Sequence, residues 1–517
     1  MINVNTRKWW VLFTVCLLTA MFNFDVTAVN LAIPQISTEF HANLASMQWL
    51  INAFVLLSAM FQIIGGRVGD MWGHRRIFAI GTVIFVLASI IAGIAHDPVQ
   101  LILARAGQGF ALGIAYPMTI ALVYDVFPQA QRAAAVGFIM GSMGIALAVG
   151  PTLGGLIVYY IGWRWIFLVN VPVGFIIILS TYIFCPPDRI IAAIKKIDYF
   201  GALILMLGML GVVLALNQLQ QWGFGLVPFW VTLIGGLLAL FILYWIEKRS
   251  ASPIIEFKIF SIRNYTLYTL IRIVSQLAFV PILFFVPTYL QDISGYGPIG
   301  AGLIMLYLTI VVGILAPFAG KWVGKLGARM PTTIAMFAYV LSYILLMQLT
   351  AEPNLIVLAL ALILIGIGTG ISFVSTTTGA THPIPIEKIG EAMGIFLTIG
   401  FVSCAIGVAL LGTTLAINSK SWLLAALAKG NFLLTQVQTA ELVRVARGIG
   451  SVSSLKDYVP AASVTELSNM AKLAFMHGFR IAMLVFLFIS IVGLILTFFT
   501  EKEKLSSMKE EEVAPLL

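Results

Sequence analysis

Five polar side chains stand in apolar surroundings where each must have a use. The stretch "NFDVTAVNLAIPQI", residues 23–36, sets Asp25 in a greasy run that begins at Trp9. "RAGQGF" carries Arg105 and Gln108, and "LIRIVSQLAF" carries Arg272 and Gln276. A charge at the centre of a bilayer costs from ~2.5 to above ~10 kcal/mol, so such groups line a pathway or pair with one another. Asp25, about six residues or ~9 Å from the outer end of its run, matches Arg105 in depth. Equal depth permits a pair, and burial and an opposite charge pull the protonation of an acid in opposite directions. A carboxylate so poised can take a proton from one side of a membrane and release it to the other, with Arg105 and Gln108 modulating it. The alternative is a static salt bridge between two helices. Arg272, ~12 Å into its own run, has Gln276 one turn further on. It either snorkels to the interface or faces a central cavity and touches substrate. Asn30 and Phe54 are further possible substrate contacts, although aromatic residues in such runs more often serve packing.

Other chemistries find no support. His74 and His477 join no ligand cluster, and Cys16, Cys185 and Cys404 share no metal-ligand spacing. No nucleophile–base set is evident, and no Gly-rich loop ends in Gly-Lys-Ser/Thr, which excludes a P-loop ATPase. The expectation is therefore no enzyme, no cofactor and no metal, with energy drawn from an ion gradient or from downhill solute flow.

The elements that must position these residues are membrane helices. A chain of 517 residues that is 60% hydrophobic and 10% charged cannot bury its apolar surface in a water-soluble globule, where about 25% charged residues is usual. The apolar blocks are continuous and near 20 residues long, the length that crosses a ~30 Å core as helix. Spans are expected at 9–31, 47–67, 77–95, 99–121, 133–158, 166–184, 199–219, 226–246, 265–288, 299–319, 331–350, 354–376, 391–412 and 477–499. Fourteen spans put both termini on one side. With that side cytoplasmic, 20 of the 30 Lys and Arg fall in inner segments such as Arg75–Arg76, Lys195–Lys196 and Lys248–Arg249, against Arg164 alone in the short outer loops, two within spans and seven in the long segment 413–480, which is exempt from the rule. The net charge of +9 thus reflects topology, and nucleic acid is not needed to explain it. The segment 413–476 reads as a long outer stretch carrying an amphipathic surface helix, and 500–517 as a charged cytoplasmic tail.

An internal repeat organises the spans. "GGRVGDMWGHRR" follows the second span and "AGKWVGKLGAR" the tenth, aligning Gly66-Arg67 with Gly320-Lys321 and Gly73 with Gly327. Two six-span bundles, 1–184 and 264–499, are then joined through an inserted hairpin with linkers, 185–263. Paired bundles hold substrate near the midplane between them.

At this point the chain resembles the major facilitator superfamily. "GGRVGDMWGHRR" looks like its inner-loop motif, and "RAGQGFALG" is similar to its fourth-span motif. "GIALAVGPTLGG", with Gly150, Pro151, Gly154 and Gly155, resembles the fifth-span motif of its antiporters. Asp25, Thr27, Val29, Asn30, Ala32 and Pro34 match the first-span pattern of the fourteen-span drug:proton antiporter branch, and "WRWIFLVNVPVG" (163–174) is also familiar from it. The second inner loop departs from the motif at Gly324, where an acid is expected, and Gly400 stands near where many relatives carry arginine.

The motifs suggest roles. Gly66, Arg67, Asp70, Gly73, Arg75 and Arg76 would form an inner gate, Asp70 latching it through a helix N-terminus or an arginine across the bundle. The small residues of the fifth span let helices approach closely, either as a pliable seam or as ordinary packing. The resemblance implies proton-coupled export of small amphipathic compounds by alternating access, from a bacterial inner membrane and with no cofactor. One intramembrane acid against two arginines favours neutral, zwitterionic or anionic cargo. A carrier of a specific organic anion or siderophore-like metabolite is the alternative. A receptor or scaffold would need no buried acid–arginine set. The expected partners are substrate, protons and lipid, with the oligomeric state open.

Overall fold

The computed structural model describes residues 4–42, 44–188, 198–223, 225–250, 253–430, 432, 434–448, 455 and 464–501. Among these residues the regular structure is helical, without a strand. The charged tail lies outside them but for its first residues, as do Arg189, Lys195 and Lys196.

The first half of the chain forms α1 (Val4–Glu39), α2 (Leu44–Trp72), α3 (His74–Gly93), α4 (Pro98–Val126), α5 (Gln129–Tyr160), α6 (Arg164–Leu168) and α7 (Asn170–Phe184). The last two make one span, broken where Pro172 lacks the N–H that would reach back to Leu168. A hairpin follows, α8 (Tyr199–Trp222) and α9 (Val227–Glu247). The second half holds α10 (Arg263–Thr288), α11 (Pro298–Leu326), α12 (Arg329–Leu346), α13 (Leu355–Thr381), α14 (Ile389–Lys429), α15 (Gln436–Ala446) and α16 (Val464–Phe499). Fourteen spans are long and apolar enough to cross a membrane, which makes this a multi-pass membrane protein.

Two bundles face each other through α2 against α14 and α5 against α11, with α8 set beside both α2 and α14. The repeated turns agree in backbone as well as in sequence. Gly73 (φ 105°) and Gly327 (φ 77°) both take the left-handed region that a side chain disfavours. We call the end of the bundle carrying these turns the basic face. The far end of α16 returns to it, where Arg263 and Arg329 donate to the Phe499 and Phe498 carbonyls at 3.0 and 2.9 Å.

Several helices outrun their expected spans. α1 continues through Pro34 to Glu39, which sets Asp25 near mid-helix rather than close to its outer end. The segment 413–476 is largely helical among its described residues. α14 is an unbroken 41-residue helix and α16 begins at Val464, so both project beyond the opposite face. There Leu423, Leu427, Leu442, Val445, Leu467 and Ala471 pack with α15 into a separate small core.

Candidate functional site

Asp25 lies fully buried at the meeting point of the first bundle's helices, facing α4 and α7. Arg105 from α4 forms an ion pair with its Oδ2. Asn170, the first residue of α7, donates to Oδ1 at 3.1 Å. Gln108, one turn along α4, donates to Ser89 at 2.8 Å and more weakly to Asp25 at 3.4 Å, while its own oxygen accepts from Arg105 at 2.7 Å. The second arginine donor reaches the Leu50 carbonyl at 3.4 Å. The ring of Phe54 lies 4.2 Å from the guanidinium carbon and covers it, within the range of a cation–π contact. Every charge here is therefore met, which is the condition under which a buried pair is tolerated.

The three residues read as a coupling set do meet. Phe54 does not stand free for substrate, being 1% exposed against Arg105. Asn170 was missed by the sequence reading, although it sits in "WRWIFLVNVPVG" as a lone carboxamide in an apolar span. The fifth-span glycines are the reason α1 is held so near. A Cβ on Gly154 would lie 2.8 Å from that of Ala28, and Gly150 faces Thr27, two residues beyond Asp25. Gly155 has only the Leu31 side chain near it, and Pro151 is exposed. Gly144, by contrast, meets Gly313 of the other half.

A second cluster closes the basic face. α14 begins at Ile389, so its first N–H groups have no partner within the helix. Asp70, from α2 in the other half, accepts from Gly390 and Glu391 at 2.8 and 2.7 Å, a carboxylate placed at the positive end of a helix. Arg67 donates to Glu391 at 2.8 Å. Gly66 and Gly390 touch backbone to backbone with no room for a Cβ on either. His74 bridges Asp70 and Asp125 at 2.9 and 2.8 Å, and the Glu256 backbone N–H donates to the second Glu391 oxygen at 2.6 Å. Further along the same face Tyr124 meets Thr381 at 2.5 Å and Gln129 meets His382 at 2.9 Å.

Gly66, Arg67 and Asp70 thus make contacts across the halves. Arg75 and Arg76 do not join them. Their backbone N–H groups donate to Asp188, just past the end of α7, at 2.8 and 3.1 Å, and the Arg75 side chain reaches the Tyr182 carbonyl, without touching the second half. Gly73 contributes the turn that sets them there. Glu391, Glu256, His74 and Asp125 belong to the cluster and were not anticipated.

Arg272 does not snorkel. It is 6% exposed and packs over Phe373 at 4.1 Å and Phe396 at 5.4 Å, within electrostatic range of Tyr116 of the first half. Gln276 donates to the Cys404 sulfur at 3.0 Å. Asn30 is exposed and its amide turns back to Val26 at 3.1 Å, in a separate place from Arg272.

Comparison with known proteins fits this architecture. The profile of the Major Facilitator Superfamily matches residues 15–408. The chain is 27% identical over 506 residues to the tetracenomycin C resistance and export protein of Streptomyces glaucescens, covering 98% of this chain and 94% of that one. It is 31% identical over 414 residues to the multidrug resistance protein Stp of Mycobacterium tuberculosis (strain ATCC 25618 / H37Rv), covering 79% and 75%. Among solved structures, the proton:xylose symporter XylE matches with a TM-score of 0.58 at 14% identity over 97% of this chain and 99% of that one. The human organic anion transporter MFSD10 matches at 0.57 and 11%, over 96% and 98%. Duplicated bundles, the buried acid–arginine pair, the cross-half latch and a profile spanning most of the sequence lead to one conclusion: the chain belongs to the Major Facilitator Superfamily of membrane transporters.

Proposed function

We propose that this transporter exports small amphipathic compounds from the cytoplasm of a bacterium in exchange for protons, with its basic face and both termini cytoplasmic. The names of its relatives, resistance and export proteins among them, support the export of toxic compounds. The observation that carries the proton coupling is the Asp25 carboxylate, held within the first bundle by Arg105 and Asn170. Protonation cancels the charge that fixes Arg105. The guanidinium then loses its counter-ion and turns to the carbonyl of Leu50 and the oxygen of Gln108, both already within its reach. Because α1 rests on the glycine face of α5 beside Thr27 and Ala28, a change at Asp25 is passed directly to a helix that contacts the other half. The latch of Asp70 and Arg67 on α14 holds the cytoplasmic side shut in this state, and its release opens that side to cargo.

Reconstituted into liposomes with an imposed pH gradient, the wild type should accumulate amphiphiles against their concentration. Asp25→Asn should lose accumulation while keeping equilibrium binding of the same compounds. Unchanged gradient-driven accumulation in Asp25→Asn would remove proton coupling through this residue.

A further inference from the structure

The second buried arginine is not accounted for by coupling or gating. Arg272, on α10, is enclosed by α4, α12, α13 and α14, and the groups placed around it are Phe373, Phe396, Tyr116, Tyr339 and Cys404. None is an acid. Asp25, the acid set within the spans, is engaged by Arg105. Among the described residues the Nε and Nη1 groups of Arg272 have no hydrogen-bond partner, and neither has Oε1 of Gln276 one turn along. The Gln276 amide is oriented by its bond to Cys404, which leaves the oxygen as the free end.

A guanidinium buried without a counter-ion is costly, and aromatic faces offset only part of the cost. A Cβ on Gly400 would lie 3.4 Å from Arg272 Nε and 3.7 Å from Gln276 Nε2, so both side chains rest against bare backbone of α14 at this position. Cys404, one turn further along α14, is partly exposed.

Resting on the reading of this chain as an exporter of amphipathic compounds, we infer that Arg272 and Gln276 bind the head of the cargo. That head is an anionic oxygen group, a carboxylate or an acidic phenol or enol, beside a hydroxyl or N–H donor on an aromatic body. The anion accepts from the free guanidinium N–H groups, a charge-assisted bond stronger than a neutral one. The adjacent donor meets Gln276 Oε1. The aromatic body continues among Phe373, Phe396 and Tyr116.

The test uses the full chain in lipid nanodiscs and three matched probes: 3-hydroxy-2-naphthoate, its methyl ester, and 2-hydroxy-3-naphthylmethylamine. Equilibrium binding should favour the carboxylate over the ester by at least about tenfold. Arg272→Gln should bring the carboxylate down to the level of the ester, and Arg272→Lys should retain part of the preference. Gly400→Asp, which supplies an internal carboxylate, should compete with the anion and erase the preference as well. Thermal unfolding of each variant checks that it is folded. The inference fails if the ester or the amine binds as tightly as the carboxylate, if Arg272→Gln weakens all three equally, or if no probe binds to folded protein. Binding is read without a gradient, so such a failure leaves proton-driven export standing. Loss of export in the gradient assay would in turn leave the binding preference intact.

Discussion

Arg105 and Arg272 are both buried, both set against two aromatic rings, and in opposite halves of the molecule. The first has an acid, a carboxamide and a carbonyl around it, whereas the second has two unpartnered N–H groups. The same contrast runs through the repeated turns. Asp70 in the first copy grips α14 across the bundle, while the second copy has Gly324 at the corresponding place, facing Ala130 in the first turn of α5. Duplication supplied two similar frames. In the first half the buried arginine and the loop acid both have partners, whereas in the second half the arginine lacks one and the acid is absent.

The largest effect that could break this comparison is at the arginines. Arg105→Gln strands Asp25 and should destabilise the protein by about 3–5 kcal/mol, as removal of one partner of a buried pair does. Arg272→Gln removes a buried charge that has no counter-ion and should leave stability unchanged or raise it. Thermal or denaturant unfolding in detergent reads both, and equal losses would mean that the two sites are alike. Next in size is Asp70→Ala, which frees the Gly390 and Glu391 N–H groups and should shift the gate towards opening on the basic face by about 2 kcal/mol. Accessibility of a cysteine placed behind the gate measures it.

A gain of function sharpens the contrast. Gly324→Asp offers a carboxylate to the first turn of α5, whose N-terminus has no side-chain cap, and should favour closure by about 1 kcal/mol. The smallest effect is at His382, which burial and the charge of Arg132 hold below the ordinary histidine range. The closed face therefore prefers this ring neutral. Its contribution to opening should vanish above the reference value of 6.5 and should grow as pH falls beneath it, until the closed-state value is also passed. His382→Gln should remove that component from the accessibility profile.

Much of this was legible before any coordinates. The acid, the arginine and Gln108 declared themselves because a polar group in an apolar run has few places to go, and their depths agreed. Asn170 stayed hidden because a carboxamide is cheaper to bury than a charge and so attracts less notice, although its position just before Val-Pro, where a helix breaks, was a usable signal. Glu391 and Glu256 were overlooked because charges are common at the ends of spans, and Arg67 meets its partner across more than half of the chain. Arg75 and Arg76 share a motif with gate residues, but a turn at Gly73 sends them to the other side of it. Helix ends were misjudged at α1, α14 and α16 for one reason. Hydropathy marks where lipid stops, and hydrogen bonding along "SWLLAALAK" has no cause to stop there.

That last feature makes α14 a lever. Its base is the gate and its tip carries the small outer core, some 60 Å away at 1.5 Å per residue, with no proline between them to absorb a bend. A tilt of about 10° at the base sweeps the tip through roughly 10 Å by the same geometry. Whatever releases the latch is thereby written on the opposite face of the molecule, where a fluorophore, an antibody fragment or a neighbouring molecule can read it without entering the transport path.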